Sequence, residues 1–209
     1  LKPLPVRKFE SDPKYLLGQA LFFDNVLSGN RDVSCATCHL WNRGSSDALP
    51  VSIGTHGFEL GEDRYIKDGF EIEHPRNSLD LWNRDNNSVK ALFWDGRVEM
   101  MDPDRRIFRT PMGDYLPEGL DNTLAVQAIF PLTRADEMLG RYGDNSPEYL
   151  PESHANKTNE YVTQKNFNSD KERIESAHQM IIKRIIGDTD QEEWQKRYLE
   201  MFIDAYPNV

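Results

Sequence analysis

Cys35-Ala36-Thr37-Cys38-His39 constrains this chain more than any other stretch of it. C-x-x-C-H is the attachment signature of a c-type haem, and its spacing has a physical basis. Two thiols three positions apart reach two vinyl groups of one porphyrin, and the adjacent imidazole then falls beneath the ring, where it can bind iron. The two thioethers keep the haem in place even when the protein around it moves. The competing assignment for C-x-x-C, a thiol redox pair, belongs with a βαβ pattern, and no such pattern is visible. Cys35 and Cys38 are the only cysteines, so neither a disulfide elsewhere nor a thiolate zinc cluster can be built.

A haem also explains how a lean chain can make a core. The 209 residues are 38% hydrophobic, with a mean hydropathy of -0.70, and a buried porphyrin would add much apolar surface. The length suits one domain with sizeable insertions. No apolar run reaches the roughly 18 residues a membrane span needs. A net charge of -10 argues against nucleic acid as a partner. Ordinary solubility accounts for that charge, and the same field would also steer a basic redox protein. The sequence begins at Leu1 without an apolar signal segment. Because c-type haem is attached outside the bacterial cytoplasm, the expectation is a mature exported, periplasmic chain or a trimmed one.

The predicted fold is mainly α, a single cytochrome c-like haem domain over residues 1–209 with long loops and insertions. Ser11-Asp12-Pro13 supplies a cap and a first-turn proline for a helix carrying Tyr15, Leu16, Ala20, Leu21 and Phe23. A second helix is expected from Asn122 to Phe130. The clearest one starts at Ser169-Asp170, places Ile174, Ala177, Met180, Ile181 and Ile185 on one face, and ends near Gly187. Another follows from about Gln191 to Ala205. Polar, proline-bearing loops fill Asn42 to Arg76, Glu99 to Leu120 and Arg141 to Asn168, the last expected to be partly mobile. No sustained period-2 pattern marks a strand.

Five ordered blocks then point to a family. LGQALFFDNVLSGNRDVSCATCH (Leu17 to His39) resembles the start of bacterial dihaem cytochrome c peroxidases, the family that also contains the MauG-type enzymes. LPVSIGTHG (Leu49 to Gly57), HPRNS (His74 to Ser78), LFWDGRVE (Leu92 to Glu99) and QAIFPLTRADEM (Gln127 to Met138) follow in the family's order. The family has two haem motifs and this chain has one. The resemblance therefore implies that the second haem lies in a half missing from this chain or on another chain. Insertions are expected after Gly57 and after Val98.

Carried over residue by residue, the resemblance implies that His39 is the proximal ligand of a peroxidatic haem c and His56 the distal histidine of the resting state. Gly54 and Gly57 beside His56 would let its loop swing away from the iron. Glu137 matches the distal acid, a carboxylate able to take a proton from one peroxide oxygen and return it to the other. Gln127 matches a distal-pocket glutamine placed to hydrogen-bond peroxide. Trp94 matches a tryptophan between the two haems, where an indole could relay electrons. Asn77 matches a side-chain ligand to an interdomain calcium ion, whose other oxygen ligands come partly from outside this chain. Asp95 and Arg97 read as a structural turn pair, and His74, His154 and His178 as structural or exposed.

The implied activity is reduction of hydrogen peroxide with electrons from a small redox protein or a second haem-bearing chain or domain. Two rivals stay open. One is MauG-like oxidation of a protein substrate. The other is a non-enzymatic electron-transfer cytochrome with His/His or His/Met coordination, in which Met100, Met101, Met112 or Met138 could be the sixth ligand.

Overall fold

Asp12 and Pro13 start the first helix much as the sequence predicts. The computed structural model describes residues 12–66, 68–86, 88–144, 159, 161–162, 167–187 and 190–208. Helix α1 spans Pro13–Phe23, with the Asp12 carboxylate accepting from the backbone N–H of Lys14 at 2.9 Å, which satisfies one of the otherwise orphaned first-turn donors. A one-turn helix, α2 (Cys35–Cys38), carries the two cysteines. Helix α3 is Thr123–Gln127, capped by Asn122. It ends three residues before the predicted Phe130 because Pro131 lacks an N–H and its ring crowds the carbonyl of Gln127, four residues back.

Helix α4 (Asp170–Ile186) begins on a Ser169 cap, and α5 (Glu193–Ala205) follows Glu192. The apolar face of α4 does what its spacing implies. Ile174, Ala177, Ile181 and Ile185 are all buried. With Leu17, Val26, Leu27, Met138, Leu139 and Tyr198, most of that face builds the principal core, where α1, α4 and α5 meet. A smaller core gathers Leu92, Val98, Met112, Val126, Phe130 and Ile174.

The loops are not wholly irregular. Strands β1 (Gly57–Phe58) and β2 (Tyr65–Ile66) pair antiparallel. A second antiparallel sheet orders β3 (Ala91–Leu92), β4 (Val98–Asp102) and β5 (Ile107–Arg109), with an irregularity between Met100 and Asp102. Helices make up the larger part of the regular structure, but these sheets were not expected from the sequence. Strands of two to five residues are too short to display alternation. Most of Arg141 to Asn168, with His154, lies outside the described residues.

Buried Arg184 on α4 fixes the loop that delivers the chain to α2. Its guanidinium donates to the carbonyls of Val26, Ser28 and Gly29 and stacks 3.6 Å from the Tyr161 ring centre. The Tyr161 hydroxyl donates to the Val26 carbonyl as well, at 2.8 Å.

Candidate haem site

Burial sets the state of the three motif side chains. Removal from water raises the Cys35 thiol to about 11 and the Cys38 thiol to about 12, since desolvation disfavours the thiolate. A redox-active C-x-x-C thiol is instead lowered. The pair thus lacks the activated thiolate of a redox C-x-x-C. His39 is half-buried, and its removal from water lowers its pKa and favours the neutral imidazole. Its Nδ1 lies 2.9 Å from the Ser45 carbonyl. That contact assigns the proton to Nδ1 and leaves Nε2 with a lone pair, the arrangement found behind metal-bound histidines.

Beside α2 opens a cleft of about 570 Å³, within the range of cofactor sites. Ala36 and Thr37 of the motif form one wall, and His56, Gly57, Phe58 and Arg64 another. Phe23, Leu60 and Trp41 at its border are 54%, 56% and 74% exposed. So much apolar surface at one cleft calls for an apolar body to cover it. A porphyrin held beside Ala36 and Thr37 would meet that requirement, although Cys35, Cys38 and His39 do not themselves line the cleft.

His56 is held from several sides. Its ring stacks on Phe70 at 3.9 Å between centres, and Nε2 lies 3.2 Å from the Asp144 carboxylate. Its backbone N–H donates to Asp32 at 2.9 Å, while Asp32 also accepts from Ser28 ahead of the motif. Burial raises the Asp144 carboxyl, but His56, the Arg141 N–H and Asn30 outweigh it, so the net shift is downward.

From the sequence, the backbone freedom of this loop is expected at Gly54 and Gly57. The structure places it on His56 itself, at φ 67°, an uncommon conformation for a non-glycine residue. Gly54 and Gly57 serve close approach instead. A Cβ on Gly57 would strike the guanidinium of Arg64, which clamps the loop by donating to the carbonyls of Ile53, Gly54 and Glu59.

Glu137 sits on a π-helical turn, Ala135–Leu139, against which the His56 loop packs through a hydrogen bond from Thr55 to the Ala135 carbonyl at 3.0 Å. The Glu137 carboxylate contacts Arg134 Nε at 2.9 Å and His74 Nε2 at 3.5 Å, and its charge is felt at Cys38 and His39. It does not line the cleft. Gln127 is buried at the end of α3, with Oε1 lacking a hydrogen-bond partner among the described residues.

Trp94 is 74% exposed beneath the Arg76 guanidinium, at 4.4 Å, on a turn away from the cleft walls. The Asn77 side-chain oxygen accepts from Ser46 at 2.8 Å, and its NH₂ donates to Asp47 and to the Leu49 carbonyl. These bonds order the loop after His39. Asp95 and Arg97 form the expected turn pair. His178 lies on α4.

Phe70, Asp144, Arg64, Asp32 and His74 were not found from the sequence. Each acquires its place through contacts made by folding, so no local pattern marks it.

A family model described as di-haem cytochrome c peroxidase matches residues 12–207. Among curated relatives, the cytochrome c551 peroxidase of Pseudomonas aeruginosa is 36% identical over 104 residues, 47% of this chain and 25% of that protein. The cytochrome c peroxidase Ccp of Escherichia coli is 33% identical over 98 residues, 47% of this chain and 18% of its own length. The methylamine utilization protein MauG of Methylorubrum extorquens is 34% identical over 94 residues, covering 45% of this chain and 22% of MauG. These matches thus span about a quarter or less of the relatives they align with. No helix among the described residues is long and apolar enough to cross a membrane.

Proposed function

Because the chain belongs to the di-haem cytochrome c peroxidase family, we propose that it is an exported, cytochrome c-like peroxidatic domain reducing hydrogen peroxide with electrons from an external donor. The observation that carries this reading is the juxtaposition of α2 with His56 across one cleft. Cys35 and Cys38 would hold the haem covalently, His39 Nε2 would bind its iron, and His56 would be a second, displaceable ligand. When bound, the haem supplies a redox-active iron at which peroxide can be reduced.

The chain's own groups do the rest. Any movement of the His56 ring from its present position requires parting from Phe70 and Asp144. Glu137 takes a proton from the peroxide oxygen that stays and returns it to the one that leaves, with Gln127 orienting the substrate through a hydrogen bond. Trp94, exposed as a donor-facing residue must be, receives electrons from a second haem-bearing domain, chain or small redox protein. Asn77 would contribute its side-chain oxygen to a calcium ion, since a carbonyl oxygen bonded once keeps another lone pair.

The test begins with the mass of the denatured chain, which should carry one haem increment. His56→Gly should then give a high-spin haem without prior reduction. Pre-reduced protein should consume hydrogen peroxide in single-turnover mixing. An open iron that leaves peroxide untouched overturns the reading.

A further inference from the structure

A second cavity, of about 170 Å³, lies next to the haem-side cleft, and His56 lines both. Ala135, Asp136 and His74 line the new one, but Glu137 does not. The Glu137 carboxylate is therefore separated from this space by its neighbours. One of those neighbours is a titratable ring. His74 borders the cavity while its Nε2 reaches 3.5 Å from Glu137 and 3.7 Å from Asp136. The Glu137 contact is only a few tenths of an ångström beyond usual hydrogen-bond length.

We propose that His74 is the positioning and proton-supplying partner of Glu137, linking that carboxylate to water in the second cavity. This rests on Glu137 being the proton-transfer group. Reduction of one peroxide to two waters consumes two protons and two electrons. The electrons come from the external donor, and each proton leaves imidazolium Nε2 for Glu137. The ring is then recharged from water in the cavity.

The surroundings suit that task. Arg134 donates to both carboxylates of the turn, 3.0 Å to Asp136 and 2.9 Å to Glu137. A cation is thus already seated there, and the trio His74, Asp136 and Glu137 does not read as a metal site. Glu71, Glu73, His56 and Arg141 line the same cavity, with Arg141 and Glu73 paired to each other. Glu137 is the largest influence on His74 and raises its pKa, favouring a ring that carries a proton near neutral pH.

Two measurements on the haem-loaded protein test this. The first follows carbethoxylation of His74 against pH by peptide mass spectrometry, which reads its titration without any turnover. Replacing Glu137 with Gln should move that titration to lower pH, and an unmoved titration overturns the coupling. The second is single-turnover peroxide reduction by His74→Gln. The expected result is a rate at least about tenfold lower, part of the 10²–10⁴ of a proton-transfer unit, with the wild-type fall in rate across the His74 titration abolished and added imidazole restoring rate. If Glu137→Gln is slow while His74→Gln keeps the wild-type rate and profile, the proposal for His74 fails alone. If Glu137→Gln is itself as fast as wild type, the underlying assignment of Glu137 fails and takes this one with it.

Discussion

Gly54 packs directly on the backbone of Glu137: a Cβ at position 54 would lie 2.9 Å from the Glu137 Cα and 2.6 Å from its carbonyl oxygen. The loop bearing His56 and the turn bearing Glu137 are therefore built as one unit. Gly54→Ala must push two backbones apart, because the obstructing atoms, which include the Asp136 carbonyl, cannot rotate away. Overpacking of this kind costs about 1–3 kcal/mol, and urea denaturation would measure it. Gly18→Ala is the control. Nothing lies within 4 Å of a Cβ there, and in the interior of α1 alanine should stabilise by up to about 1 kcal/mol.

Where the determinants are local, they can be read in the sequence. Asp12, Asn122 and Ser169 each cap the helix they precede, and the face of α4 follows from its spacing. The shortening of α3 is local too, because Pro131 alone accounts for it. The π-turn under Glu137 has no such signal. It depends on what packs against it, including a glycine far away in the chain. The same holds for His74, a loop histidine with no local pattern, which becomes notable only through its approach to Glu137. The motif Cys35-Ala36-Thr37-Cys38-His39 was legible because covalent attachment demands fixed spacing. Arg64 was not, because burying a charge requires carbonyl partners supplied by the fold.

Arg184 should be the costliest single charge to remove. Its guanidinium satisfies three buried carbonyls ahead of α2, and Arg184→Leu would leave them without that donor. Hydrogen bonds to a charged group contribute about 1.5–3 kcal/mol each, so a loss of roughly 3 kcal/mol or more is expected. A lower denaturation midpoint with an unchanged slope would show a pure stability effect.

Tyr198 gives the fold an alkaline limit. Its hydroxyl donates to Asp24 at 2.9 Å, and burial first, then that carboxylate, raise its pKa well above the ordinary value. A raised folded-state pKa means stability that is complete below the unfolded value of about 10 and is lost as pH climbs beyond it. Thermal melts should thus fall from about pH 10 upward. Tyr198→Phe should be less stable by about 1 kcal/mol near neutral pH and lose that part of the alkaline slope. An identical slope in both proteins would assign it to other groups.

Glu137→Gln separates chemistry from packing. Glutamine keeps the size of the side chain and its ability to hydrogen-bond Arg134 through oxygen, but it cannot exchange a proton. Haem content and unfolding midpoint should therefore stay close to wild type, while peroxide cleavage slows by about 10²-fold or more, the scale of a positioned acid–base group. Steady-state assays would confuse this with the supply of electrons from a missing donor. Stopped-flow mixing of pre-reduced or five-coordinate protein with peroxide reads the proton-dependent step alone. Equal rates in the two proteins would remove Glu137 from the mechanism, because the substitution takes away the exchangeable proton while keeping the size of the side chain.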